Sequence, residues 1–124
     1  MTKVTLNANL ENSAEKEFLK SFNVAFAEGN AGYIIDHVSD DIQWTIYGDK
    51  KISGKEDFTK EINIMKEYTA DEVTIHSIIT NDLEASLNGE MKMGDKVYAF
   101  CDVYKFTNVS SYTIEEMHSY VLPI

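Results

Sequence analysis

The chain has 124 residues, enough for one domain around a single core, and 44% of them are apolar, which excludes a disordered chain. Acidic residues outnumber basic ones 21 to 11, a formal net charge of −10, and no basic cluster exceeds the pair Lys50-Lys51, so nucleic acid and anionic membranes are excluded as partners by repulsion. Apolar runs such as Tyr33–Ile35 are far too short to span a bilayer.

The opening stretch MTKVTLNANLEN has no apolar leader core and no small-residue cleavage site, and Cys101 is the single cysteine. Both features lead us to expect a cytoplasmic protein without disulfides. The sequon Asn108-Val109-Ser110 has no meaning without secretion. No repeat, linker or low-complexity tract divides the chain, so residues 1–124 read as one domain.

Residues 12–28 read as a helix capped by Asn12 or Ser13, with Phe18, Leu19, Phe22, Ala25 and Phe26 forming one apolar stripe. Gly29 supplies a left-handed stop, and Asn30 caps a short helix over 31–38. The period then changes. In DIQWTIYGD, Ile42, Trp44 and Ile46 alternate with polar neighbours, which predicts a strand followed by a turn at Gly48-Asp49. Ser53 and Glu56 form a capping box for a third helix over 54–67, with Phe58, Ile62 and Met65 on its buried side. Strands follow at 72–80, 84–93, 96–107 and 112–122, separated by turn-forming residues. Helices segregated from a strand meander define an α+β fold.

The strand VYAFCDVYKF carries a carboxylate at its middle. Side chains alternate along a strand, so Tyr98, Phe100, Asp102, Tyr104 and Phe106 share one face, and Val97, Ala99, Cys101, Val103 and Lys105 the other. Both faces are largely apolar, which predicts that both are covered. An ionised carboxylate among aromatics is unfavourable unless it is paired or hydrogen-bonded; burial raises its pKa, and the neutral acid then becomes a hydrogen-bond donor. A structural Asp bonded to a neighbouring side chain is the alternative.

Three stretches resemble the NTF2-like superfamily, its SnoaL-like and ketosteroid isomerase-like branches above all: FLKSFNVAFAEGNAGYIIDHVSDDIQW, GDKKISGKEDFTKEI, and CDVYKFTN leading to TIEEMHSYV. Together they span residues 14–122. The resemblance implies a cone, with a curved antiparallel sheet wrapped around three N-terminal helices, a pocket at the open end, and a homodimer through the outer face of the sheet. It implies that Asp102 points into the pocket, matching the acid of the isomerase oxyanion hole. It also implies pocket walls of Phe22, Tyr33, Trp44, Ile46, Phe58, Met65, Phe100, Tyr104, Met117 and Val121, with Tyr104 a second donor beside Asp102. The match fails at the chemistry. The position of the isomerase base is Ile46 and that of its tyrosine is Phe22, so ketosteroid isomerase activity is not expected. Strand parity adds Thr45, Tyr47, Glu115 and Ser119 as polar groups nearby.

No pair of His37, His76 and His118 has a zinc-site spacing, no Cys-x-x-Cys exists, and no phosphate-binding glycine loop or nucleophile elbow occurs, so no metal or cofactor is expected. Parity puts His76 and His118 outside, with Ile79 opposite His76, and the methionines of EMKMGDK read as sheet packing. Three functions compete: an apolar pocket for a small hydrophobic molecule held at Asp102, a non-catalytic association domain using the outer face of the sheet, and an enzyme of another mechanism on the same scaffold.

Overall fold

A computed structural model describes residues 1–108 and 110–124, so the Val109 position of the sequon lies outside the described residues. The elements run β1 (Lys3–Leu6), α1 (Ala14–Glu28), α2 (Ala31–Asp36), β2 (Val38–Ile46), β3 (Lys50–Ser53), α3 (Lys55–Met65), β4 (Glu72–Asn81), β5 (Glu84–Met93), β6 (Lys96–Phe106) and β7 (Ile114–Pro123). One curved, unclosed sheet takes the order β1-β4-β5-β6-β7-β2-β3. It is mixed and not purely antiparallel: β1 runs parallel to β4, and β2 runs parallel to β7.

Local chemistry starts and stops the helices. Ser13, not Asn12, caps α1, its hydroxyl accepting from the Lys16 N–H at 3.2 Å. Gly29 ends α1 at φ 72°, and the Gly29 and Asn30 N–H groups return to the Ala25 and Phe26 carbonyls. A Cβ at Gly29 would also meet the Lys66 carbonyl oxygen, so no other residue fits without displacing the chain after α3. The expected capping box at Ser53 is absent. Gly54 takes the cap position without a side-chain bond, because Ser53 still belongs to β3 and donates to Gln43 Oε1 at 2.9 Å. Helix α2 is shorter than expected, since Val38 already pairs with Ile114 as the first residue of β2.

Three irregularities bend the sheet. The β4–β5 register shifts between Ile75 and Ser77, β2–β7 between Val38 and Gln43, and β6–β7 between Lys105 and Phe106. The first reverses the parity of β4: Ile75 and Ile78 are buried, whereas Ile79 is 64% exposed. Strict alternation placed Ile79 inside, and the bulge turns it out. Opposite this bend, a Cβ on Gly89 would collide with the Thr74 carbonyl oxygen, so the strands approach more closely than a side chain permits.

The concave face of the sheet closes over α1–α3. Leu19, Phe22, Ile42, Phe58, Ile75, Leu87, Phe106 and Ile114 are fully buried in a common core. The expected alternation of β6 holds, with Tyr104 and Phe106 buried inward. The opposite row, Val97, Ala99, Cys101 and Val103, lies half-buried on the outer face.

Candidate functional site

The concave face does not fill completely. A cavity of about 350 Å³ remains between α1, the end of α3 and the inner rows of β4 to β7. Its walls are apolar: Phe26, Ala27, Ile34, Trp44, Ile62, Met65, Val73, Met91, Met93, Phe100 and Met117. Exposed Lys66, Tyr68 and Val121 stand at its rim. The remaining polar lining is Asn23, Asp102 and Ser119.

Register places these three. Asp102 on β6 faces Ser119 directly across the antiparallel pair with β7, and Tyr104 is two residues further along the same face. On the other side of β7, Trp44 of β2 sits opposite Met117, next to Ser119. Its indole Nε1–H donates to Ser119 Oγ at 2.9 Å. From α1, Asn23 lies one helical turn beyond Leu19, and its Nδ2 donates to the Leu19 carbonyl at 2.9 Å and to the Tyr104 hydroxyl at 2.8 Å.

This network has one consistent polarity. Indole N–H is only a donor, so Ser119 Oγ accepts it and keeps its own proton for another acceptor. The Leu19 carbonyl is only an acceptor, which fixes the Asn23 amide with its NH₂ towards Tyr104; the Tyr104 oxygen accepts and its proton is likewise free. The acceptor beside both hydroxyls is Asp102. Burial raises the Asp102 carboxyl from 3.8 to about 6, and hydrogen bonding by Ser119 and Tyr104 offsets part of that rise. Tyr104 shifts in the same direction: burial and the Asp102 charge push its hydroxyl well above 10, so it stays protonated.

The expected wall residues divide. Trp44, Met65, Phe100, Met117 and Val121 line the cavity with Asp102. Phe22 does not: it is buried beneath the cavity, between Phe18, Phe26 and Tyr104. Tyr33 lies on α2, tilted against His37 at 4.3 Å and stacked on Phe18 at 6.4 Å. Phe58 packs behind Trp44, with centroids 5.5 Å apart, and so supports the wall without forming it. Ile46, at the end of β2, packs against the edge of the core. Tyr104 is 1% exposed and outside the lining, so it reaches a ligand only through Asp102.

Asn23, Phe26, Ile34, Ile62, Met91 and Met93 are among the lining residues outside the expected set. A signal for Asn23 existed: it is the one polar residue in FNVAF, at the i+4 position from Leu19. Met91 and Met93, which alternate on β5, line the cavity as well as packing on the sheet. Of the other polar groups named by parity, Tyr47 stacks on Tyr120 at 4.5 Å on the outer surface, and Glu115 is exposed. The histidines stand elsewhere: His76 pairs with Glu90 at 2.8 Å, His118 with Glu116 at 3.2 Å, and His37 Nδ1 contacts the Tyr33 carbonyl at 2.7 Å. Among the described residues, no three His, Cys, Asp or Glu side chains group to hold a metal ion.

A curved sheet folded over three helices around an acid-bearing apolar cavity defines an α+β cone. The chain has the fold of the NTF2-like superfamily. An NTF2-like protein of unknown function from Cytophaga hutchinsonii superposes with a TM-score of 0.68 at 23% identity, over 86% of this chain and 97% of that one. A ketosteroid isomerase-like protein from Kribbella flavida gives 0.70 at 11% identity, over 87% and 77%. An LEH-like epoxide hydrolase from M. tuberculosis gives 0.71 at 17% identity, over 90% and 85%. No protein-family model matches the sequence, and no curated protein does. Among the described residues, no helix is long and apolar enough to cross a membrane.

Proposed function

We propose that the chain binds a small hydrophobic molecule in the cavity, with Asp102 as its polar contact. One observation carries this reading: a single carboxyl group, set among Trp44, Phe100 and Met117, faces an opening of about 350 Å³. That size falls within the range of small-molecule sites. The similar fold of an isomerase-like protein and of an epoxide hydrolase supports small-molecule chemistry in such a cone. Asp102 then serves as the acid of an isomerase- or cyclase-type step, or as a hydrogen-bond donor to a carbonyl or hydroxyl oxygen when protonated. Its pKa of about 6 suits proton transfer near neutrality. Ketosteroid isomerisation itself is not proposed, since Phe22 and Ile46 supply neither the hydroxyl nor the base. The unpaired Cys101 supports a reducing compartment, and we place the protein in the cytoplasm.

The test is saturable binding of a panel of apolar compounds, followed by the emission of Trp44, the only tryptophan. Ala70 is buried and also lines the cavity; filling the space with Ala70→Phe should abolish binding, and Asp102→Asn should change the order of affinities. Binding that survives the filled cavity, or an order of affinities indifferent to Asp102, rejects the proposal.

A second reading rests on the outer face of the sheet. Half-exposed Val97, Ala99, Cys101 and Val103 adjoin exposed Tyr120 and Leu122, an apolar surface suited to a homodimer. Light scattering decides it, and a clean monomer at micromolar concentration ends it.

A further inference from the structure

Which polar group the bound molecule carries follows from hydrogen-bond polarity. The Trp44 and Asn23 donors on the polar wall already have acceptors within the protein, and Ser119 faces Asp102 directly across the strand pair. Trp44 Nε1–H points at Ser119, both Asn23 amide protons point at Leu19 and Tyr104, and the Ser119 and Tyr104 hydroxyls stand beside Asp102. What this wall offers to the cavity is acceptors: the Asp102 carboxylate and the remaining Asn23 oxygen. We propose that the cavity selects a hydrophobic molecule bearing a protonated amine, seated on Asp102 with its apolar body against Trp44, Phe26 and Phe100. The proposal rests on the cavity being a binding site and names the chemical class of its occupant.

Three further observations agree. No cation lies within ion-pair distance of Asp102 among the described residues, so the carboxylate has no internal counter-charge. Aromatic faces on the walls attract a cation as well as an apolar body. The net charge of −10 favours the approach of cations over anions. A ketone presents only an acceptor, and facing an ionised Asp102 its oxygen would meet no donor. It becomes acceptable only once Asp102 takes a proton.

The groups that titrate around Asp102 are few. Tyr104 shares its strand face, Cys101 lies on the opposite face of β6, and Lys66 and Tyr68 stand at the rim; α1, β2 and β7 contribute Asn23, Trp44 and Ser119, which do not titrate. Between pH 5 and 7.5 the change at the site is therefore that of Asp102. Simple aliphatic amines keep their charge throughout that range.

The experiment uses matched amine and ketone pairs on three carbon frames, adamantyl, decalinyl and cyclohexylphenyl, titrated against the unaltered protein by Trp44 fluorescence at pH 7.5 and pH 5. The amine of each binding pair should bind at least tenfold tighter at pH 7.5, with the gap closing at pH 5. Asp102→Asn should close the gap at both pH values, though the pH comparison needs no variant. Ketones that bind as tightly as the amines at pH 7.5 overturn this inference and leave the ligand-binding reading standing. Absence of binding on every frame at both pH values overturns both.

Discussion

Replacing Asp102 by Asn tests the electrostatic account of the site without any ligand. In the unfolded chain this carboxyl titrates near its ordinary 3.8; in the folded protein, burial holds it at about 6. A folded pKa above the unfolded one means that the native state binds the proton more tightly. The contribution to stability is therefore full below pH 4 and is lost as pH rises through 6. That displacement is worth about 3 kcal/mol, part of which would already be gone at pH 4. An amide of the same shape has no such dependence. Urea denaturation of both proteins at closely spaced pH values from 4 to 8 reads the effect. All other titrating groups are shared, so their contributions cancel in the difference. Asp102→Asn should gain on the unaltered protein by most of about 3 kcal/mol between pH 4 and pH 7, with the steepest change below pH 6. A difference that stays flat across this range would refute the buried carboxyl. A difference of opposite sign would mean that Ser119 and Tyr104 outweigh desolvation.

Removing a donor should push the Asp102 carboxyl higher still: in Tyr104→Phe its titration, followed by NMR, should move upward, and the orphaned Asn23 N–H should cost about 1–3 kcal/mol of stability. An unchanged titration would show that the phenol does not serve the carboxylate. Gly89→Ala should destabilise by several kcal/mol in chemical denaturation, because its methyl meets the Thr74 backbone at the β4–β5 bend; a near-neutral result would mean the strands separate freely there. Leu87, fully buried opposite Asp102, should cost about 2–5 kcal/mol on truncation to Ala by the same measurement. Cys101 should react slowly with maleimide at pH 7.5, since burial and the neighbouring Asp102 charge both raise its thiol pKa. Labelling as fast as a free thiol would contradict that.

Helices α1 and α3 and strands β4 to β7 were legible in the sequence because their signals are local: a stripe at helical spacing, a glycine stop, alternation over ten residues. The sharing of one face by Phe100, Asp102 and Tyr104 followed from parity alone, which is a property of the extended backbone. Strands β1 and β3 were not legible. Four residues each, KVTL and KKIS, they have too little alternation to register and exist because β4 and β2 offer them partners. The parallel contact of β2 with β7 depends on residues some seventy positions apart, and it brings Trp44 to Ser119.

Composition and pattern by themselves settled the α+β class, the acidic surface and the placement of one carboxylate on an aromatic strand face. Only the tertiary structure decided which aromatics border the cavity and which fill the core: Phe22, Tyr33 and Phe58 pattern in the sequence as Phe26 and Phe100 do, and the way the helices pack against the sheet separates them. It also decided the direction of the hydrogen bonds at Asp102, because Asn23, Trp44, Tyr104 and Ser119 come from four different elements. Periodicity describes how neighbours along a chain are oriented. The polarity of a site depends on what distant segments bring to the same few ångströms.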